Sequence, residues 1–187
     1  MRRSIATVSL SGTLQEKLEA IAASRFDGVE IFENDLMFYQ GSAKDARRHA
    51  ADIGLAIDAF QPFRDFEGVS EAALARNLER AERKFDLMQE LGAPLMLVCA
   101  NIDPSTADDE DLAAAQLFAL AERAARRSLK IGFSALPWAP RTNTVQKAWR
   151  LIEKANHPHL GLVLNSFHTL APGGGLDDLA ALPGHRI

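Results

Sequence analysis

The sequence predicts an α/β fold of parallel strands: about six of the eight units of a (β/α) barrel, with residues 1–187 forming a single partial domain. Two observations carry this. Short apolar, often β-branched runs recur along the chain, and the segments between them have helical period. With 187 residues, 47% hydrophobic and 25% charged, the chain has the composition of a globular protein and the length to bury one sizeable core.

Strands are expected at residues 4–8, 28–31, 56–60, 95–98, 130–133 and 160–164. The clearest helix follows Leu74, Leu78, Ala81, Phe85, Met88 and Leu91, one apolar stripe in steps of three and four, and should stop at Gly92 with Pro94 beyond it. Its other face carries Arg76, Glu79, Arg80, Glu82, Arg83 and Lys84, read as solvated. A second helix, through Ala113, Leu117, Leu120 and Ala124, follows the acidic run from Asp108 to Asp111, which suits the positive end of a helix dipole. Weaker helical patterns cover residues 13–23, 42–52, 144–155 and 176–182. Strand and helix thus alternate six times, which implies parallel strands and right-handed crossovers, either a doubly wound sheet or a barrel. A dinucleotide-binding sheet would need a glycine fingerprint after the first strand, and Ser9-Leu10-Ser11-Gly12-Thr13 does not supply one. Gly173-Gly174-Gly175, after the sixth strand, reads as a flexible loop more simply than as a phosphate cradle.

Composition excludes several function classes. A net charge of −4 argues against nucleic acid as a partner, because phosphate contacts call for a basic surplus. No apolar stretch approaches the ~20 residues needed to span a bilayer, so no membrane partner is expected. The single cysteine, Cys99, forms no internal disulfide, reads as a buried apolar thiol and suits a reducing cytoplasm. The stretch after Met1-Arg2-Arg3 is too short and too polar for a secretion signal.

In parallel α/β folds the ligand lies at the C-terminal ends of the strands, and here those ends are polar. They deliver Glu30 and Glu33-Asn34-Asp35, then Arg64, Asn101, Ser134 and Trp138, and finally Asn165, Ser166 and His168. Glu33-Asn34-Asp35 suits a helix cap as well as a site. Arg64, beside Asp65 and Glu67, fits either a surface ion pair or an anion-facing role, and the flanking Phe63 and Phe66 favour the latter. His168, just past a strand, is placed for proton transfer near neutral pH.

Four segments carry a resemblance. Phe26-Asp27-Gly28-Val29-Glu30-Ile31-Phe32-Glu33-Asn34-Asp35-Leu36, Phe60-Gln61-Pro62-Phe63-Arg64-Asp65-Phe66-Glu67-Gly68, Ala81-Glu82-Arg83-Lys84-Phe85-Asp86-Leu87-Met88 and Ser166-Phe167-His168-Thr169-Leu170 resemble the xylose-isomerase-like TIM barrels. This group includes proteins described as sugar phosphate isomerases or epimerases, and the likeness is greatest to the bacterial 3-dehydroshikimate dehydratase branch. Some members of that branch are fused to a C-terminal domain resembling 4-hydroxyphenylpyruvate dioxygenase. The resemblance implies a small-molecule substrate, 3-dehydroshikimate, with Arg64 and His168 as catalytic residues and Glu30, Glu33, Asn101 and Trp138 lining its site. It also implies a divalent cation, Mg or Mn, held by Glu, Asp, Gln and Glu on strands five to eight, because an enolate oxygen forms during dehydration to protocatechuate.

The sequence departs from that pattern at the metal. Ser134 stands where the strand-five Glu is expected and Asn165 where the strand-six Asp is expected, while strands seven and eight would follow residue 187. Both anionic charges on the strands present are gone, and a hard dication is held largely by such charges. The expectation is therefore no cofactor and a catalytically silent chain. The alternatives are a non-catalytic binding or interaction module and a sugar isomerase or epimerase homologue. An open six-strand sheet also predicts self-association through its exposed edges.

Overall fold

The computed structural model describes residues 2–170, 177–180 and 182–187. Its strands are β1 (Ser4–Ala6), β2 (Gly28–Phe32), β3 (Ala56–Phe63), β4 (Leu95–Cys99), β5 (Lys130–Ser134) and β6 (Leu160–Leu162). They form one sheet in chain order, with β1–β2, β2–β3 and β5–β6 paired parallel. The long crossovers are helices α1 (Leu14–Ala23), α3 (Ala43–Asp52), α4 (Glu71–Leu91), α5 (Glu110–Ala125) and α6 (Val145–Ala155). Shorter helices are α2 (Glu33–Met37), α7 (Ser166–Leu170) and α8 (Asp177–Ala180), and single 3-10 turns lie at Thr7–Ser9 and Gly184–Arg186. The triple glycine and residue 176 lie outside the described residues, so of the expected 176–182 helix the structure speaks only for α8.

Local chemistry explains most boundaries. Thr13 with Glu16 and Ser42 with Asp45 form reciprocal capping boxes at α1 and α3. The acidic run caps α5 as expected, through Asp109, whose side chain accepts the Leu112 N–H at 2.9 Å. α4 stops where Gly92 turns to φ +74°. β1 is shorter than the expected 4–8 strand because the Thr7 hydroxyl, not a backbone carbonyl, accepts the Phe32 N–H at 2.9 Å and the chain curls into its 3-10 turn. β3 runs three residues past the expected end, and Gln61 still registers with Phe32. β6 ends at Leu162, the last residue in register with β5.

The chain clusters into two compact units. The first, Met1–Pro62 with Arg83–Met96, buries Leu18, Ile21, Val29, Ile31, Phe60, Phe85 and Met88. Within it, α2 is tied down by two ion pairs: Lys17 to Asp35 at 2.7 Å, both nearly buried, and Lys84 to Glu33. The second unit, Phe63–Glu82 with Leu97–Ile187, packs α5 on α6 and buries Leu117, Leu120, Phe133, Leu151 and Ile152. Its part of α4 leaves Leu74 and Leu78 half-exposed, so the single apolar stripe is fully covered only from Ala81 onward.

The expected solvated face of α4 holds at Arg76, Glu79 and Arg83, which are exposed, and needs correction at the other three positions. Lys84 pairs with Glu33. The Arg80 guanidinium lies 4.5 Å over the Phe63 ring and donates to the Arg64 carbonyl. Glu82 binds Arg123 and Arg127, at 3.1 and 2.7 Å. A 21-residue helix offers charged side chains many neighbours, and long cationic stems pack well on apolar surface. Among the described residues, no helix is long and apolar enough to cross a membrane.

Candidate functional site

The ends of β5 and β6 bring four of the sequence-predicted residues together. Ser134, the last residue of β5, is buried, and its hydroxyl donates to the Ala135 carbonyl at 3.3 Å. Asn165 precedes α7, where its side-chain oxygen accepts the His168 N–H at 3.2 Å, as a helix-capping side chain does. His168 stands edge-on to Trp138 at 5.2 Å and to Phe167 at 5.9 Å between ring centroids. Its desolvation among these rings lowers its pKa, with the Ala135 backbone working in the other direction. The imidazole is therefore neutral at pH 7 and able to accept a proton. Trp138 is 56% exposed and presents an open aromatic surface beside it.

The donor chemistry at Ser134 and Asn165, the two positions where the resemblance implies metal ligands, does not fit a hard divalent cation. Ser134 is neutral and Asn165 is engaged in holding α7. Among the described residues no group of three or more His, Cys, Asp or Glu side chains is arranged to hold a metal ion.

The loop after β3 and the end of β4 form a second cluster in the same unit. Asn101 is 2% exposed, and both ends of its amide are used: Nδ2 donates to the Glu67 carbonyl at 2.8 Å and Oδ1 accepts the Asp103 N–H at 3.0 Å. The residue expected to contact substrate thus spends its side chain on the loop. Arg64 is exposed. Its expected neighbour in a surface ion pair, Glu67, is instead buried at 1% exposure and accepts the Asn101 N–H at 2.7 Å. Burial pushes the Glu67 carboxyl up to about 7, with Asp65 adding to the rise. Sequence reading missed Glu67 because Arg64-Asp65-Phe66-Glu67 looks like a charged surface turn. The signal available was its enclosure between Phe66 and Gly68.

In the first unit, Glu30 is half-buried on β2, and burial raises its carboxyl pKa. Glu33 neither caps α2 with its side chain nor stands open to a ligand; it opens the helix and its carboxylate is held by Lys84. Lys84, 51 positions away in the chain, left no local sequence signal. Cys99 is buried, as expected.

Comparison with known proteins agrees with the resemblance read from the sequence. The 3-dehydroshikimate dehydratase of Pseudomonas aeruginosa is 60% identical over all 187 residues, and that of Pseudomonas putida 56%. The chain spans only 30% and 29% of the length of these two relatives. A solved xylose isomerase-like TIM barrel/4-hydroxyphenylpyruvate dioxygenase fusion protein superposes with a TM-score of 0.98 at 56% identity, over the whole of this chain and 30% of its own. The profile of the xylose isomerase-like TIM barrels matches residues 18–187. With strand order, strand ends and sequence in agreement, the chain belongs to the xylose isomerase-like TIM barrel family.

Proposed function

We propose that residues 1–187 form one partial barrel domain of the 3-dehydroshikimate dehydratase type, and that this chain as it stands is catalytically silent. The observation that carries the activity class is the 60% identity to the Pseudomonas aeruginosa dehydratase across every residue of the chain. In that reaction a proton leaves the carbon beside a ketone and water is then lost to give protocatechuate. His168, neutral and framed by Trp138, is the base suited to take the proton. Arg64 would meet the substrate carboxylate, and Asn101 and Trp138 would lie around the ring. For Asn101, the bonds to the loop make this a supporting role rather than a direct contact. Silence follows from Ser134 and Asn165. The reaction develops negative charge on the enolate oxygen, and these two neutral groups lack the carboxylate charge that holds a hard cation beside it.

The test mixes the chain with 3-dehydroshikimate and manganese and follows the absorbance of protocatechuate. No turnover is expected, and clear turnover would refute the silent reading. Ser134→Glu with Asn165→Asp should stay silent in the 187-residue chain, because the resemblance puts two further ligands on strands seven and eight. Fusing residues 1–187 to the remainder of the Pseudomonas aeruginosa enzyme should restore product formation only when both substitutions are present. A fusion active without them means the ligand set is wrong, and one inactive with them counts against the dehydratase assignment. The same reading places the protein in the cytoplasm and includes self-association through the free sheet edges, which size-exclusion chromatography would detect as species larger than a monomer.

A further inference from the structure

The loop after β3 is shaped by its contacts more than by regular structure. Asp65 at φ +56° and Gly68 at φ +70° flank Glu67, so the backbone reverses twice within four residues. At Gly68 a Cβ would sit 2.5 Å from the Thr106 methyl, so that position tolerates only glycine. Three fastenings tie the loop to the segment after β4. Asn101 and Glu67 exchange two hydrogen bonds; the Ala107 N–H donates to the Gly68 carbonyl at 2.9 Å; and the Gln116 side chain clasps both the N–H and the carbonyl of Val69, at 3.2 and 2.7 Å.

The first fastening differs from the others in holding a titratable group. One Glu67 oxygen takes the Asn101 N–H, while the other, also buried, has no hydrogen-bond partner among the described residues. A carboxylate so placed keeps its charge out of water with half its acceptors unmet, whereas the neutral acid still accepts the Asn101 N–H at far smaller desolvation cost. Glu67 borders a cavity of about 160 Å³. The charged groups around it are Asp65 on its own loop, Asp108, Asp109 and Glu110 at the start of α5, Arg141 past β5 and Lys147 on α6. Arg141 is engaged by Asp108 at 3.1 Å and by the Thr106 carbonyl at 3.0 Å, and among the described residues no histidine lines the cavity. The lining is acidic on balance, and Asp65 favours the neutral form.

We propose that the Glu67 side chain is a latch that fastens the loop carrying Arg64 to the end of β4, and that the latch holds more tightly when Glu67 carries a proton. Opening exposes the carboxyl to water, where it ionises at its ordinary value, so the equilibrium follows the proton difference between the two states. The closed state binds more protons between the ordinary value near 4.5 and about 7. The latch therefore loosens as pH rises through that window and is insensitive to pH above it. The device does not depend on the dehydratase reading.

Amide hydrogen exchange of the 187-residue chain tests this, with rates corrected for intrinsic base catalysis. Protection at the Asn101 and Ala107 amides should fall roughly 40-fold from pH 5 to pH 7 and then level off. Protection at Ala148 in α6 and Ile131 in β5 should not change. In Glu67→Gln, which keeps the acceptor for Asn101 and removes the charge, the Asn101 and Ala107 protection should be flat with pH. Flat protection in the parent chain, or an unchanged slope in Glu67→Gln, overturns the latch. Should Glu67→Gln fail to fold, carbon-13 titration of the Glu67 carboxyl in the parent chain decides: a midpoint near 7 supports the latch and one below 5 overturns it.

Discussion

Replacing Asn101 with alanine removes two hydrogen bonds and leaves the backbone bond to Glu67 in place. The lost bonds are Nδ2 to the Glu67 carbonyl at 2.8 Å and Oδ1 from the Asp103 N–H at 3.0 Å. The Glu67 carbonyl lies in a buried setting and is left without a partner, costing about 1–3 kcal/mol. The Asp103 N–H is only partly buried and can turn to water, so its loss costs about 0.5–1 kcal/mol. The sum, about 1.5–4 kcal/mol, is large against the total stability of a domain of this size. With a urea slope of about 2 kcal/mol/M, the unfolding midpoint should fall by about 0.75–2 M. Asn101→Asp should be worse at pH 7 than at pH 5, because an ionised aspartate cannot donate to the Glu67 carbonyl and adds charge beside the Glu67 carboxyl. A loss below about 0.5 kcal/mol for Asn101→Ala would show that the side chain does not organise the loop, and would return it to the substrate-contacting role that its position past β4 first indicated.

Two further outcomes separate structural from site residues. Lys17→Met should cost about 3 kcal/mol in urea unfolding, because Asp35 stays nearly buried without its 2.7 Å partner, and adding Asp35→Leu should recover most of that loss; no recovery would mean the pair is not acting as a unit. Trp138→Ala should change stability by less than about 1 kcal/mol, since the ring is 56% exposed, yet raise the pKa of His168 in an NMR titration by relieving its desolvation. An unchanged His168 titration would separate the two rings functionally.

The local grammar of this fold lies open in its sequence. The period-three-and-four apolar spacing from Ala81 to Leu91 and the acidic cap before α5 depend on residues a few positions apart, and both form as read; the Thr13–Glu16 and Ser42–Asp45 boxes, equally local, came to light in the structure. The chemical character of Ser134 and Asn165 is equally legible, since a hydroxyl and an amide lack the anionic charge of a carboxylate whatever surrounds them. The end of β1 was not legible, because it depends on a Thr7 hydroxyl meeting an N–H from β2.

What the sequence by itself determined, then, was the order of strands and long helices, because these follow from residue type and short-range spacing; its segments also carried the family resemblance, under which Ser134 and Asn165 read as neutral groups. What only the tertiary structure decided was which polar groups are occupied and which are buried. Glu67 turns inward to Asn101, 34 positions away; Glu33 is claimed by Lys84; and Trp138 shields His168. Burial and partnership are set by residues distant in the chain, and it is burial that moves a carboxyl in an apparently charged surface turn toward neutrality at pH 7.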